Sequence, residues 1–234
     1  MPRISKEEDY SVRRNEILDA AQRLVYSKGY ESMTIQDILN DVEISKGAFY
    51  HYFPSKHALL EGLIDRSIVQ VSNLVAPVLE DPELSSLEKL TRYFDKISNW
   101  KISQKAYMIQ LLRVWYLDEN SLLRQKMATA GIEFLSPILI NLINQGIAEG
   151  TMKVKDSQTT AKVVYSLMIS LGENLGNVIL SSDQPGRMQS IPESIKTMQD
   201  TTKAYTDAIE RVLGVREGSI ILVSDTVLEE WIAT

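Results

Sequence analysis

Two histidines and no cysteine leave most nucleophilic and metal chemistry without its parts. His51 and His57 are six apart, about 240° around a helix and with Pro54 between them, so they do not form a metal pair. Ser86-x-x-Lys89 and Ser98-x-x-Lys101 have the spacing of an acylating Ser-Lys pair, but none of its companion motifs is present. G-x-G-x-x-G, G-x-S-x-G, H-E-x-x-H and P-loop patterns are absent as well. No enzyme, no metal and no cofactor is therefore expected. What the residues suit instead is phosphate. No acid lies between Glu43 and Glu61, and Lys46, His51, Lys56 and His57 all fall inside that window. The wider balance conceals this, since the 234-residue chain carries a net charge of −6 and residues 1–60 alone hold eight Lys/Arg against nine Asp/Glu. Bulk charge argues against a nucleic-acid binder, while local charge permits a small site facing phosphate.

The elements that must position this window are helices. With 44% hydrophobic and 24% charged residues the chain has the make-up of an ordinary globular protein of one large or two modest domains. Ile17, Ala21, Leu24 and Val25 fall on one helical face, as do Leu87, Leu90, Phe94 and Ile97, and again Met108, Leu111, Leu112 and Trp115. Longer periodic runs cover roughly 120–149, 156–181 and 192–214. Ser5 with Glu8, Thr34 with Asp37 and Ser85 with Glu88 have capping-box spacing. Gly29, Gly150 and Gly214 stand where helices need a left-handed stop. Breaks are expected at Asp81-Pro82 and over 181–192, and Ser219–Ser224 alone reads as a short extended piece. The fold class is all-α. The stretch Val163 to Leu180, interrupted by Glu173, Asn174 and Asn177, reads as a poor membrane span and a better buried helix. The charged start MPRISKEED and the lack of cysteine fit a cytoplasmic location.

Residues 10–53 hold three short helices, and from Ser55 onward the helices are long. That division gives an N-terminal domain over 1–54, a helical bundle over 55–214 and a tail over 215–234 that packs back through Ile221, Leu228 and Trp231. Within TIQDILNDVEISKGAFYHYFPSKHALL (34–60), a helix from Thr34 to about Asp41 and another from Ser45 are joined by a four-residue link. Ile35, Ile38, Ile44, Phe49 and Phe53 would bury against Ile17 and Leu24, fixing two short helices at a steep angle as in a helix-turn-helix. The second helix then turns Lys46, Gly47, Ala48, Tyr50 and His51 outward. Small residues at its start permit close approach to base edges, and the flanking hydroxyls and lysine suit phosphate oxygens.

The run Ser45-Lys46-Gly47-Ala48-Phe49-Tyr50-His51-Tyr52-Phe53-Pro54-Ser55-Lys56, preceded by Gly29-Tyr30 and Thr34-Ile35, resembles the tetracycline-repressor (TetR) family of bacterial transcription regulators. By that resemblance Thr34, Ser45, Tyr50, Tyr52 and Lys56 match phosphate-contacting positions, and Lys46, Gly47, Ala48 and His51 match positions facing base edges or the adjacent backbone. The sequence departs from the family at the turn, where Glu43 stands in place of Gly and Leu39 and Val42 in place of Ala. A left-handed Glu43 implies strain on the order of 1 kcal/mol. Arg3, Lys6, Arg13 and Arg14 suit either a minor-groove arm or an ordinary solvated terminus.

The resemblance further implies a homodimer joined through the helices at 156–181 and 192–214, reading palindromic operator DNA as a repressor that a small hydrophobic or amphipathic inducer releases. Gly172 and Gly176 flatten one helix face, in keeping with close helix approach. An effector pocket would draw on Trp100, Tyr107, Met108, Leu111, Trp115, Tyr116, Phe134 and Met168, which serve equally well as plain core. Glu173, Asn174 and Asn177 would need partners in an apolar helix, which the other subunit, ranked first, a ligand or a neighbouring helix could supply. Pro137, after Gly131, should kink its helix. The competing reading is a helical ligand-binding or assembly module without sequence-specific DNA binding, which Glu43 supports.

Overall fold

A computed structural model of the chain describes residues 6–183 and 190–233, and among them every regular element is helical. The chain forms two compact units. The first comprises the described residues up to Gln70 together with Ala106–Leu117. It contains helix α1 (Lys6–Lys28), α2 (Ile35–Val42), α3 (Lys46–Tyr52) and the first part of α4 (Lys56–Glu80). The core gathers Ile17, Leu18, Val25, Ile38, Phe49 and Phe53, with Leu24, Ile35 and Ile44 half-buried beside them. Leu59 and Leu63 of α4 belong to the same core, which is why this compact unit does not end at residue 54. Gly62 is part of that fit, because a Cβ there would lie 2.8 Å from the Phe53 ring.

The second unit takes in Val71–Lys105 and everything described from Asp118 onward. It holds α5 (Ser86–Ser103), α7 (Ser121–Ala148), α8 (Ser157–Ser182), α9 (Ile191–Leu213) and α10 (Asp225–Ile232), while α6 (Lys105–Trp115) falls in the first unit from Ala106. The core is built from Leu90, Tyr93, Leu142, Ile143, Val164, Leu171, Ile209 and Leu213. Ser85 and Ser190 open α5 and α9 through capping boxes with Glu88 and Glu193. Ser5, half of the expected first box, lies outside the described residues, as do residues 184–189 of the 181–192 break. Gly29, Gly150 and Gly214 all take positive φ. At Gly214 a side chain would also meet the Lys153 carbonyl, so both backbone and space demand glycine. Helix α7 continues through Pro137, and Gly131 is small because a Cβ would collide with Tyr165 Oη.

Three readings of the sequence are corrected here. Residues 219–224 form no strand; Ile220 and Leu222 are buried and Ile221 is 56% exposed, so the alternation tucks two side chains inward without a pairing partner. The tail is held by Ile220, Leu222, Val227, Leu228 and Ile232 rather than by Ile221. It is part of the second unit, pinned by the buried Glu210 carboxylate, which accepts from Gly218 N (3.0 Å) and Ile220 N (2.9 Å). Third, α8 is long and apolar enough by composition to cross a membrane, Lys162 and Glu173 being its only charged residues. Its buried positions, Val164, Leu171 and Ile179, make one stripe, and a broad further face carrying Val163, Ile169, Glu173, Asn174 and Asn177 stays exposed.

Candidate nucleic-acid interface

The turn between α2 and α3 is fixed by local hydrogen bonding. Thr34 Oγ1 accepts from Asp37 N (3.1 Å), and Thr34 N donates back to the Asp37 carboxylate (2.7 Å). Lys28 Nζ stands 2.5 Å from the same carboxylate. The Lys28 contact first, and the Thr34 hydrogen bonds after it, hold the Asp37 carboxyl well below the usual carboxylate range. Helix α2 ends at Glu43, whose φ of 55° and ψ of 46° are left-handed. That conformation lets the backbone N–H groups of Glu43 and Ile44 both reach the Leu39 carbonyl, closing the helix and turning Ile44 toward the core. Ser45 Oγ then caps α3 by accepting from Ala48 N (3.1 Å).

Helix α3 buries Phe49 completely and leaves Lys46, Gly47, Tyr50 and His51 exposed on its outer side. The nearest atom to a Cβ at Gly47 would be Ser45 Oγ at 4.0 Å, so nothing in the fold requires glycine there. Its smallness serves whatever approaches from outside. Tyr50 sets its ring edge-on against Phe49, with centroids 5.5 Å apart. Tyr52 is half-buried, its ring 4.7 Å from Tyr10 and 5.2 Å from His51. Lys56 Nζ donates to the Glu31 carbonyl (3.1 Å) and lies 4.5 Å from the Tyr30 ring centre, while Tyr30 Oη donates to the Lys56 carbonyl (2.7 Å). Thr34 and Ser45 are exposed and Ala48 is half-buried.

Some acids of this unit pair with basic neighbours. Asp19 pairs with Arg66 (2.6 Å), Asp37 with Lys28, and Asp41 with Arg23. No acid lies within 44–60, so α3 itself presents Lys46 and His51 with no carboxylate of its own. Arg13 bonds Glu16 (2.7 Å) and Arg14 lies 5.1 Å from the Phe53 ring centre, so both are engaged within the helical unit rather than in a loose arm. Arg3 lies outside the described residues.

Residues 17–63 match the family described as bacterial regulatory proteins, tetR family. The chain carries a TetR-family helix-turn-helix. It is 29% identical over 133 residues to the uncharacterized HTH-type transcriptional regulator YuxN of Bacillus subtilis, a match covering 54% of this chain and 44% of that protein. The chain thus spans less than half the length of that relative. The HTH-type transcriptional repressor NemR of Escherichia coli K12 is 25% identical over 177 residues, covering 74% of this chain and 87% of NemR. A TetR transcription regulator from Haloarcula marismortui superimposes with a TM-score of 0.64 at 20% identity, over 85% of this chain and 98% of that one. That likeness carries the fold, a helix-turn-helix followed by a helical C-terminal body.

Residues expected to line one effector pocket are divided between the two units. Tyr107 is core of the first unit with Leu59 and Leu63, and burial pushes its hydroxyl up to about 12, against the nearby Arg66 charge and a hydrogen bond with Ser67. Met108 and Leu111 pack half-buried on the same core, and Trp115 is half-buried at the end of α6. In the second unit Trp100 is half-buried, Phe134 is 44% exposed and Met168 packs on the core. Glu173, Asn174 and Asn177 are exposed, because 100° per residue turns them away from Val164, Leu171 and Ile179. Within the single chain Asn174 Nδ2 donates to the Ser170 carbonyl (2.8 Å) and to Tyr205 Oη of the neighbouring helix α9 (3.3 Å). Sequence reasoning missed Tyr10, Arg23 and Lys28, whose contacts with α2 and α3 have no local spacing to betray them.

Proposed function

We propose that the protein is a repressor that binds a palindromic operator as a homodimer and is released by a small-molecule effector, working in the cytoplasm. The observation that carries the DNA half is α3, where Phe49 is anchored in the core and Lys46, an unobstructed Gly47, Tyr50 and His51 face outward. In this reading Lys46, Gly47, Ala48 and His51 meet base edges and the adjacent backbone in the major groove. Thr34, Ser45, Tyr50, Tyr52 and Lys56 hold phosphate oxygens on either side.

The dimer part is supported by the outward sides of α8 and α9. Thr197, Thr201, Ala204 and Ala208 share one side of α9, and α8 exposes Val163 and Ile169 beside an open Gly172. Two recognition helices about 34 Å apart read successive major grooves, so the dimer is what makes a palindrome legible. Effector control needs only unequal affinity for two states; a coupling of about 1–3 kcal/mol shifts operator affinity about 5–150-fold. Helix α4 is the covalent path for it, passing from the first unit into the second after Gln70.

Selection from random duplex DNA with the purified chain tests the reading. Enrichment of an inverted repeat, bound with a steep salt dependence, is the expected result. Failure to enrich any sequence at low salt would sink it.

A further inference from the structure

Helix α1 meets the helix-turn-helix through one line of side chains. Tyr10, Arg14, Ile17 and Ala21 are spaced at i, i+4, i+7 and i+11, so they share a face of α1. Ile17 and Ala21 lie in the core with Phe49 and Phe53, and the Arg14 guanidinium stands 5.1 Å from the Phe53 ring centre. Tyr10 carries the line beyond the core to the end of α3. Its ring centre is 4.7 Å from that of Tyr52, at an angle of 37°, and 5.7 Å from that of His51, at 84°. His51 and Tyr52 are themselves 5.2 Å apart at 78°. The three rings thus meet pairwise at separations where tilted and edge-to-face contacts are attractive. Successive residues on a helix diverge by 100°, so the rings of His51 and Tyr52 meet only because they lean toward one another. Tyr10 is the ring from outside α3 that closes the triangle.

We propose, resting on the operator reading above, that Tyr10 is a positioning residue for base selection. It holds the His51 ring in one orientation, so that His51 discriminates at one base pair of each half-site. An exposed side chain on a helix ordinarily samples several staggered rotamers, and a ring free to turn accepts whatever the groove offers. Set at near right angles to both Tyr10 and Tyr52, the imidazole keeps its direction before DNA arrives. A donor of fixed direction suits a purine N7 or a guanine O6 at one place only. Tyr10 needs no contact with DNA for this, which sets it apart from Lys46, Tyr50 and Lys56, whose proposed roles are direct. The contacts are between rings, so a phenyl group at position 10 serves as well as a phenol.

The chain has two histidines, so the imidazole signal of His51 is assigned in a proton NMR spectrum by its loss in His51→Ala. In the free protein Tyr10→Ala should shift the His51 signal and leave that of His57 in place, and Tyr10→Phe should barely move either. Titration at fixed pH and salt, with the inverted repeat that the parent selects and with its single base-pair variants, reads the consequence. At one position of each half-site the preference should fall from about tenfold to within about threefold in Tyr10→Ala, and at the same position in His51→Ala. Tyr10→Phe should keep the parent's preference, and Tyr10→Ala should add nothing to it in the His51→Ala background. Circular dichroism confirms that each variant is folded. A Tyr10→Ala variant that weakens binding to all sequences alike, or whose His51 signal does not move, would overturn the proposal. A parent that selects no repeat defeats the operator reading and this inference with it. A parent that selects one, beside a Tyr10→Ala variant that keeps every base preference, defeats this inference alone.

Discussion

At the scale of single residues, α3 contains a glycine that costs the helix about 1 kcal/mol against alanine and that no neighbour asks for. Gly47→Ala is therefore expected to raise Tm by about 2–4 °C and to weaken operator binding tenfold or more, because its methyl group enters the space between helix and groove. Melting curves and a DNA titration at fixed salt check both halves; a variant that binds as tightly as the parent defeats the assignment of Gly47. Lys46→Ala should weaken binding to all sequences and lower the slope of log affinity against log salt by about one. Glu43 is the opposite case, a residue whose backbone conformation the fold does demand. Glu43→Gly should stabilise the protein by up to about 1 kcal/mol, and a fall in Tm would show that the left-handed turn is not strained. The departure from glycine at position 43 was legible in the sequence; that the turn keeps its shape regardless was not, since it depends on Ile44 reaching the core.

At the scale of elements, helix starts were the most legible feature because a cap is a contact three residues long. Thr34 with Asp37, and Ser85 with Glu88, are bonded as their spacing predicts. The partners recruited across the fold were illegible, since Tyr10 with Tyr52 or Lys56 with Glu31 join distant stretches that no periodicity links. Helical period likewise reveals that α8 has an apolar stripe but not how much of its circumference neighbours cover; within the single chain Glu173, Asn174 and Asn177 lie outside that cover. The caps set a pH response. Hydrogen bonds from Ser85 and Ser190 hold Glu88 and Glu193 below their ordinary value of 4.5, and Lys28 with Thr34 does the same to Asp37 from 3.8. A depressed carboxyl stabilises the fold above its unfolded pKa and loses that contribution as pH falls through the range below. Tm should therefore be level from pH 7 to about 5 and decline below about 4.5, with a shallower acid decline in Asp37→Asn. Thermal melts between pH 3 and 7 decide this, and a Tm that rises on acidification contradicts it.

At the scale of the whole molecule, the open question is what covers the side of α8 and α9 that the chain itself leaves bare. Exposed Val163 and Ile169 near an unobstructed Gly172, with Ala204 and Ala208 on the adjacent helix, permit backbones to approach closely, and a second copy presenting the same side closes the arrangement with two-fold symmetry. Ala204→Arg places a long charged side chain in that approach. The substitution lies on a solvent-facing position of the single chain, so the fold and its helicity should survive. Light scattering should then report a mass near the 26.5 kDa of one chain in place of twice that value. Loss of the dimer removes the linked second half-site, so affinity for an inverted repeat should fall about a hundredfold, whereas the weak affinity for an isolated half-site should hardly change. The two measurements separate the causes. A folded monomer with intact half-site binding locates the interface on α8 and α9, whereas an unchanged dimer places it elsewhere on the surface and leaves the recognition helix untouched by the result.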